Sequence, residues 1–203
     1  MPELPREIIK PKLLIGEGKE EERFFGALLT HLGIGDVQVE QYGGKQGLAS
    51  YLKNLLVRPG YPALVSLGVT RDADISAREA FQSVYDTLRN IGLSTPDRPQ
   101  TSATGRLRVG VFILPDGQRS GMLEDLCLSA IQAYPEWGCI EAYFQCITAT
   151  ANRQPANMSK ARVHVWLASQ VEADKQLGVA AEIGYWPWDN PPFDALKQFL
   201  RAL

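Results

Sequence analysis

The sequence predicts an α/β fold: a mostly parallel, Rossmann-like sheet flanked by helices, with a helical C-terminal extension. Three observations lead there. Short apolar runs alternate with longer segments of helical periodicity through the first hundred residues. One of those runs, Ala63–Val69 ("ALVSLGV"), is almost continuously apolar, as a strand covered on both faces must be. Beyond residue 116 the strand pattern stops and only helical stretches remain. Strands alternating with helices argue for parallel pairing through right-handed crossovers.

Each element has its own local basis. Lys12–Gly16 reads as a buried strand. Glu20–Leu32 places Phe24, Leu28 and Leu32 at spacing four, with Phe25 and Leu29 beside them and Gly33 as a stop. Val37–Gln41 alternates like a second strand, and "YGGKQG" is a turn. Leu48, Tyr51, Leu52, Leu55 and Leu56 form the apolar stripe of a second helix, ended by Pro59-Gly60. Ala63–Val69 is the third strand, and the helix after it has Phe81, Val84, Leu88 and Ile91 on one face. Ser94–Gly105 reads as a long loop and Arg106–Leu114 as a fourth strand. Helices are expected near Met122–Tyr134, Trp137–Thr148 and Ser159–Val171, with a last one opened by Asn190-Pro191-Pro192. The division is an N-terminal arm (1–11), an α/β core (12–116) and a helical extension (117–203) packed on the core as one compact domain.

Composition narrows the function classes. The 203 residues are 45% hydrophobic and 22% charged, long enough to bury a core without metal or disulfide staples. No apolar stretch approaches the roughly 20 residues that span a membrane. The start, "MPELPREIIKPK", lacks the basic-then-apolar form of a signal peptide, so a cytoplasmic protein is expected. Cys127, Cys139 and Cys146 form no CxxC pair and read as buried free thiols. A net charge of −2 does not announce a nucleic-acid binder, although a local basic face is what matters.

The chemistry lies in carboxylates. In an open parallel sheet, ligands bind where loops leave the carboxyl ends of strands. The first strand runs into Glu17, between two glycines, and the third into Thr70-Arg71-Asp72-Ala73-Asp74. If those strands are neighbours, Glu17, Asp72 and Asp74 converge at one edge. Alternate residues of an extended segment face the same way, so Asp72 and Asp74 can face one site together. Converging carboxylates repel unless protonated or bridged by a cation. Oxygen-only donors select Mg²⁺ or Mn²⁺ over zinc. The plain alternative is that Asp74 caps a helix beginning at Ile75.

The paired motifs "LLIGEGKEEERFF" and "LVSLGVTRDAD" resemble the Toprim domain: a strand ending in Glu-Gly, a helix, and a later strand ending in Asp-x-Asp. "EGKEEE" and the intervening "YGGKQGL" are most similar to OLD-family-type Toprim proteins and small uncharacterised bacterial relatives. The resemblance covers residues 11–91 and continues less specifically through "ILPDGQRSGMLEDLCL". The chain departs from the pattern in having Ile75-Ser76-Ala77 where many members carry an early glycine, and Glu21 where relatives often have Asp. The resemblance implies that Glu17 handles protons in phosphodiester chemistry while Asp72 and Asp74 hold Mg²⁺ or Mn²⁺. Glu21 is either a second-site ligand or a first-turn acid stabilising the helix dipole. Glu124 is either a contributor to a second metal position, as in OLD-like nucleases, or another helix-start acid.

Lys19 and Lys45, in glycine-containing loops, and Lys160, in a stretch from Ala142 to Val171 without acids, are candidates for phosphate contact. A dinucleotide site is disfavoured because Glu21 occupies the third glycine position of GxGxxG, and a P-loop because Lys45 is succeeded by Gln46. The expected function is Mg²⁺-dependent, nuclease-like phosphodiester chemistry on DNA or RNA. The alternatives are a catalytically weak module binding nucleic acid or a partner protein, and a small-nucleotide phosphohydrolase. No membrane partner is expected; a homo-oligomer is compatible with the reading.

Overall fold

A computed structural model describes residues 7–203; of the expected N-terminal arm, residues 1–6 lie outside the described residues. Five strands form one sheet in the order β2-β1-β3-β5-β4. They are β1 (Lys12–Gly16), β2 (Val37–Gln41), β3 (Ser66–Asp72), β4 (Ser102–Ala103) and β5 (Arg108–Leu114). All pairings are parallel except β4 with β5. This is the α/β architecture that the alternating pattern demands.

The helices are α1 (Lys19–His31), α2 (Leu48–Leu55), α3 (Ala77–Asn90), α4 (Leu123–Ile131), α5 (Trp137–Ala151), α6 (Met158–Ala168), α7 (Leu177–Glu182) and α8 (Asp194–Arg201). Side chains alternate across a strand, so each strand feeds two cores. Leu13, Ile15, Val69 and Ile113 pack with α2 and α3 on one face. Leu14, Phe112 and Leu114 pack with α1 and the C-terminal helices on the other. Each fully buried Leu, Ile or Phe contributes about 1.5–3 kcal/mol, and both layers hold many. α8 crosses the centre of the sheet so closely that a Cβ on Gly68 would lie 2.9 Å from Leu203 and one on Gly110 3.0 Å from Phe199.

Several boundaries differ from the sequence reading, for local reasons. The third strand begins three residues late because Tyr61–Ala63 forms a 3-10 turn with Pro at its start, and it runs on through Asp72. Part of the expected loop pairs with β5 as the two-residue β4. The short α7 was not expected. It docks against α1 so tightly that a Cβ on Gly178 would meet Arg23 Cβ at 2.8 Å. The cysteine reading needs correction: Cys127 is buried, but Cys139 and Cys146 lie on the outer face of α5, whose buried side carries Ile140 and Phe144.

The strand order reverses between β1 and β3. β1 leads through α1 to β2 on one side, whereas β3 leads through α3 to β5 on the other. Such a switch point opens a crevice at the carboxyl ends of the two strands. Glu17 and Asp72 lie at those ends.

Candidate metal centre

Glu17 succeeds β1 directly, and its backbone is gripped by the glycine turn after β2. Its carbonyl accepts from Gly43 N–H (3.1 Å) and Gly44 N–H (2.8 Å). Both glycines have positive φ, which explains why that turn is "YGGKQG". The Glu17 side chain is only 9% exposed, and its Oε1 is buried without a hydrogen-bond partner among the described residues. Burial, reinforced by Glu21 and Asp74 and opposed by Arg71 and Lys45, pushes its pKa up.

Glu21, one turn into α1, accepts from Gly18 N–H at 3.0 Å and so caps the helix start. It also faces the strand ends: a Cβ on Gly16 would lie 2.8 Å from Glu21 Cβ, so only glycine lets this turn approach β1. The two readings of Glu21 are therefore compatible in one side chain.

Asp72 closes β3, beside Leu114 in register. Its Oδ1 accepts from Leu123 N–H (3.0 Å) at the start of α4. Burial first, then the charges of Glu21, Glu17 and Glu124, push its pKa up to about 8. One carboxylate oxygen from each of Glu17, Glu21 and Asp72 lies within 4.8 Å of the others. Three such groups cannot all ionise without a counter-charge. They could each offer an oxygen to a single cation, and the donor set suits Mg²⁺ or Mn²⁺.

Asp74 takes a different place. The extended alternation stops at Asp72, because Ala73 N–H bonds Leu114 and Asp74 turns into the left-handed region at φ 51°. Its N–H and C=O are both bound to Gly121, at 2.7 and 2.8 Å. Its carboxylate pairs with Lys45. Asp74 still acts on Glu17 electrostatically, but it is outside the trio. Nor does it cap α3, since Ser76 does so by accepting from Glu79 N–H at 3.3 Å.

The other candidates and the acids near them divide. Glu124 is largely buried, its pKa raised by burial, and Lys160 Nζ lies 3.8 Å from it. Lys19 lines a groove between α1 and α7 of about 880 Å³, together with Glu22, Glu182, Arg23 and His31. Asp116 accepts from Gln118 and Arg119 N–H and from the Arg119 side chain, which holds its carboxyl below the usual range. Asp125 caps Met122 and accepts from Ser159. One residue escaped the sequence reading. Arg71 is the largest opposing charge on Glu17, its Nε is buried without a partner among the described residues, and its Nη1 donates to Ser83 at 3.1 Å. Attention to the flanking acids hid it, although an Arg directly before a buried strand-end Asp was the available signal.

Residues 11–203 match the family described as "Protein of unknown function (DUF3226)". The chain belongs to that family. No curated protein matches it. Among solved structures it is similar to the C-terminal region of the Burkholderia pseudomallei OLD protein, at 14% identity and a TM-score of 0.50. The match covers 95% of this chain and 97% of that one. The C-terminal region of the Xanthomonas campestris pv. campestris OLD protein also matches, at 12% identity and a TM-score of 0.43, over 96% of this chain and 98% of that one. At such identity the Burkholderia match speaks for the fold: the family member has the α/β fold of an OLD C-terminal region. No helix among the described residues is long and apolar enough to cross a membrane.

Proposed function

We propose that this family member carries out Mg²⁺- or Mn²⁺-dependent phosphodiester chemistry on nucleic acid, as a nuclease. The observation that carries the reading is the buried Oε1 of Glu17, without a hydrogen-bond partner among the described residues, within a trio of carboxylates at the topological switch point. A buried acceptor without a partner costs about 1–3 kcal/mol, a cost that a bound cation or the proton of a reacting group would offset.

Glu17, Glu21 and Asp72 would hold the ion, with Glu124 beside them and Asp74 behind Lys45. When bound, a divalent ion supplies charge stabilisation on phosphoryl oxygens. The chain's own residues do the rest. Glu17 would offer one oxygen to the ion and, through the other, can accept a proton from an attacking group or return one to a leaving oxygen. Lys45 and Arg71 set positive charge against the acids on the Glu17 side, and Lys160 does so beside Glu124. Leu123 N–H keeps Asp72 aimed along the strand. The likeness of the two motifs to OLD-type Toprim sequences supports a polynucleotide as substrate.

The test is cleavage of DNA and RNA oligonucleotides with Mg²⁺ or Mn²⁺. Metal-dependent cleavage that disappears in Glu17→Gln and Asp72→Asn supports the reading. Metal binding without cleavage of any polymer would mark a binding module. Turnover confined to free nucleotides would mark a phosphohydrolase.

A further inference from the structure

Four arginines among the described residues are not exposed: Arg23, Arg58, Arg71 and Arg162. Three of them meet a carboxylate, Arg58 with Glu40 at 2.7 Å, Arg162 with Glu141 at 2.7 Å and Arg23 with Glu182 at 3.9 Å. Arg71 meets none among the described residues. Its Nη1 donates to the Ser83 hydroxyl (3.1 Å), and its Nε is buried without a partner. Its Nη2 is not buried, and both N–H groups there are free of acceptors among the described residues. Holding a cation partly out of water without an acid costs free energy, and an incoming anion offsets that cost.

The surroundings of Arg71 identify the anion. Side chains alternate along β3, so Arg71 shares the α3 side of the sheet with Leu67 and Val69, while its neighbour Asp72 belongs to the trio. Arg71 still acts on the same centre from its own side. It is the largest charge opposing Glu17, and it acts on Tyr42 and Lys45 as well. Tyr42 and Lys45 flank the two glycines that bond the Glu17 carbonyl. One member of the trio is thus next to Arg71 in the chain and another lies in its field, so no wall separates them. The lysines at this end of the sheet are less open to an anion, since Lys45 pairs with Asp74 and Lys160 lies 3.8 Å from Glu124. Arg71 brings a charge that no acid among the described residues meets at contact distance. Its planar guanidinium is also the group whose geometry matches phosphate oxygens.

We propose that Arg71 contacts the substrate directly, its guanidinium receiving a phosphate oxygen of the polynucleotide bound at the carboxylate trio. The inference rests on the function proposed above and adds a residue that lies outside the Glu-Gly and Asp-x-Asp pattern. The contact is to the backbone, so it adds affinity and register without selecting sequence.

The experiment measures binding of labelled single-stranded DNA and RNA oligonucleotides to the full chain by fluorescence anisotropy, in Ca²⁺ and in EDTA, across a salt series. Arg71→Gln should weaken binding roughly tenfold, the scale of one charged hydrogen bond. It should also lower the slope of log affinity against log salt by about 0.7. Arg71→Lys keeps the charge without the fork, so it should keep the slope and recover only part of the affinity. Oligonucleotides with one neutral methylphosphonate, placed at each position in turn, locate the contact. At one position the wild type should lose as much affinity as Arg71→Gln has lost, and that variant should lose nothing further. Both variants should retain the Mn²⁺-induced rise in melting temperature, because the trio is intact. If Arg71→Gln does not fold, Arg71→Lys carries the same cycle, with a reduced penalty expected at that position. Wild-type binding whose affinity and salt slope are unchanged in the variants overturns the inference and leaves the proposed function standing. Equal methylphosphonate penalties in wild type and variant at every position overturn it too, because Arg71 then acts only through its general field. Absence of oligonucleotide binding by the wild type sinks the function itself and the contact with it, so the two failures are distinct.

Discussion

Asp72→Asn is expected to stabilise the metal-free protein, because the wild type holds a carboxylate where three others oppose its ionisation. The folded-state pKa of Asp72 is about 8, against roughly 3.9 in an unfolded chain. Between those values the folded state keeps a proton that the unfolded state releases. Stability therefore falls as pH rises through that window, by up to about 1.4 kcal/mol per pH unit for this one group. Summed to pH 8, the upper figure is about 5 kcal/mol, shared with Glu17 and Glu124, whose values are raised as well. Asparagine keeps the oxygen that accepts from Leu123 N–H but has no charge to suppress. In EDTA the variant should match wild type near pH 4 and exceed it by pH 8. At about 2–4 °C per kcal/mol for a chain of this length, the gain in melting temperature is several degrees. Adding Mn²⁺ should narrow the difference. A site filled at 100 times its dissociation constant gains about 2.7 kcal/mol, and only the wild type should gain it. The assay is differential scanning fluorimetry across pH, with and without Mn²⁺. A variant less stable than wild type at pH 8 in EDTA, or one that keeps the full Mn²⁺ gain, would refute the reasoning.

Further outcomes test neighbouring parts of the structure. Glu40, buried in β2, accepts from Arg58 (2.7 Å) and Tyr51 (2.5 Å), and those bonds outweigh burial to lower its pKa. Its stabilisation is present above the ordinary glutamate range and lost as pH falls through the lowered value. Glu40→Gln should cost about 3 kcal/mol by removing the buried charge that the Arg58 guanidinium meets with two bonds, read by urea denaturation at pH 7, with the difference shrinking toward pH 3. Ser76→Ala should cost about 1 kcal/mol through loss of the α3 cap and leave the Mn²⁺ gain unchanged. Asp74→Asn, which tolerates the left-handed backbone, should lose the Lys45 ion pair with little change in stability, measured the same way. Ellman's reagent should titrate Cys139 and Cys146 in the native protein and Cys127 only after unfolding.

How much of this was legible depended on whether a feature is local. Glu17 and Asp72 stood out because a buried parallel strand reads as an apolar run, and the acid at its end must lie at the sheet's carboxyl edge. Their adjacency needed only that β1 and β3 be neighbours. The facing of Asp74 differs from the expected alternation for a local reason with a distant cause. Its turn out of the extended line is fixed by two bonds to Gly121, and no sequence pattern announces a pairing 47 residues away. Arg71 and the Ser76 cap were legible within two residues of the acids but competed with a more familiar tripeptide. α7 left little signal, since six residues of mostly small side chains acquire their helix mainly from packing on α1.

The arrangement also explains why an apparently separate helical extension accompanies the sheet. Glu17 and Glu21 are held by β1, α1 and the glycine turn, all from the N-terminal half. Asp72 and Asp74 are aimed by bonds to Leu123 and Gly121, from the segment that opens the extension. That segment is fixed in turn by Asp125, and Asp125 by Ser159 on α6. α1 is tied at its other side, where Glu20 accepts from Gly178 N–H at 2.6 Å. Both sides of the carboxylate trio therefore rest on C-terminal helices. Mutual repulsion would push the three acids apart, and a framework that closes around them from two directions is what keeps them within 4.8 Å. The extension is thus the restraint that makes a mutually repulsive cluster of acids hold its shape.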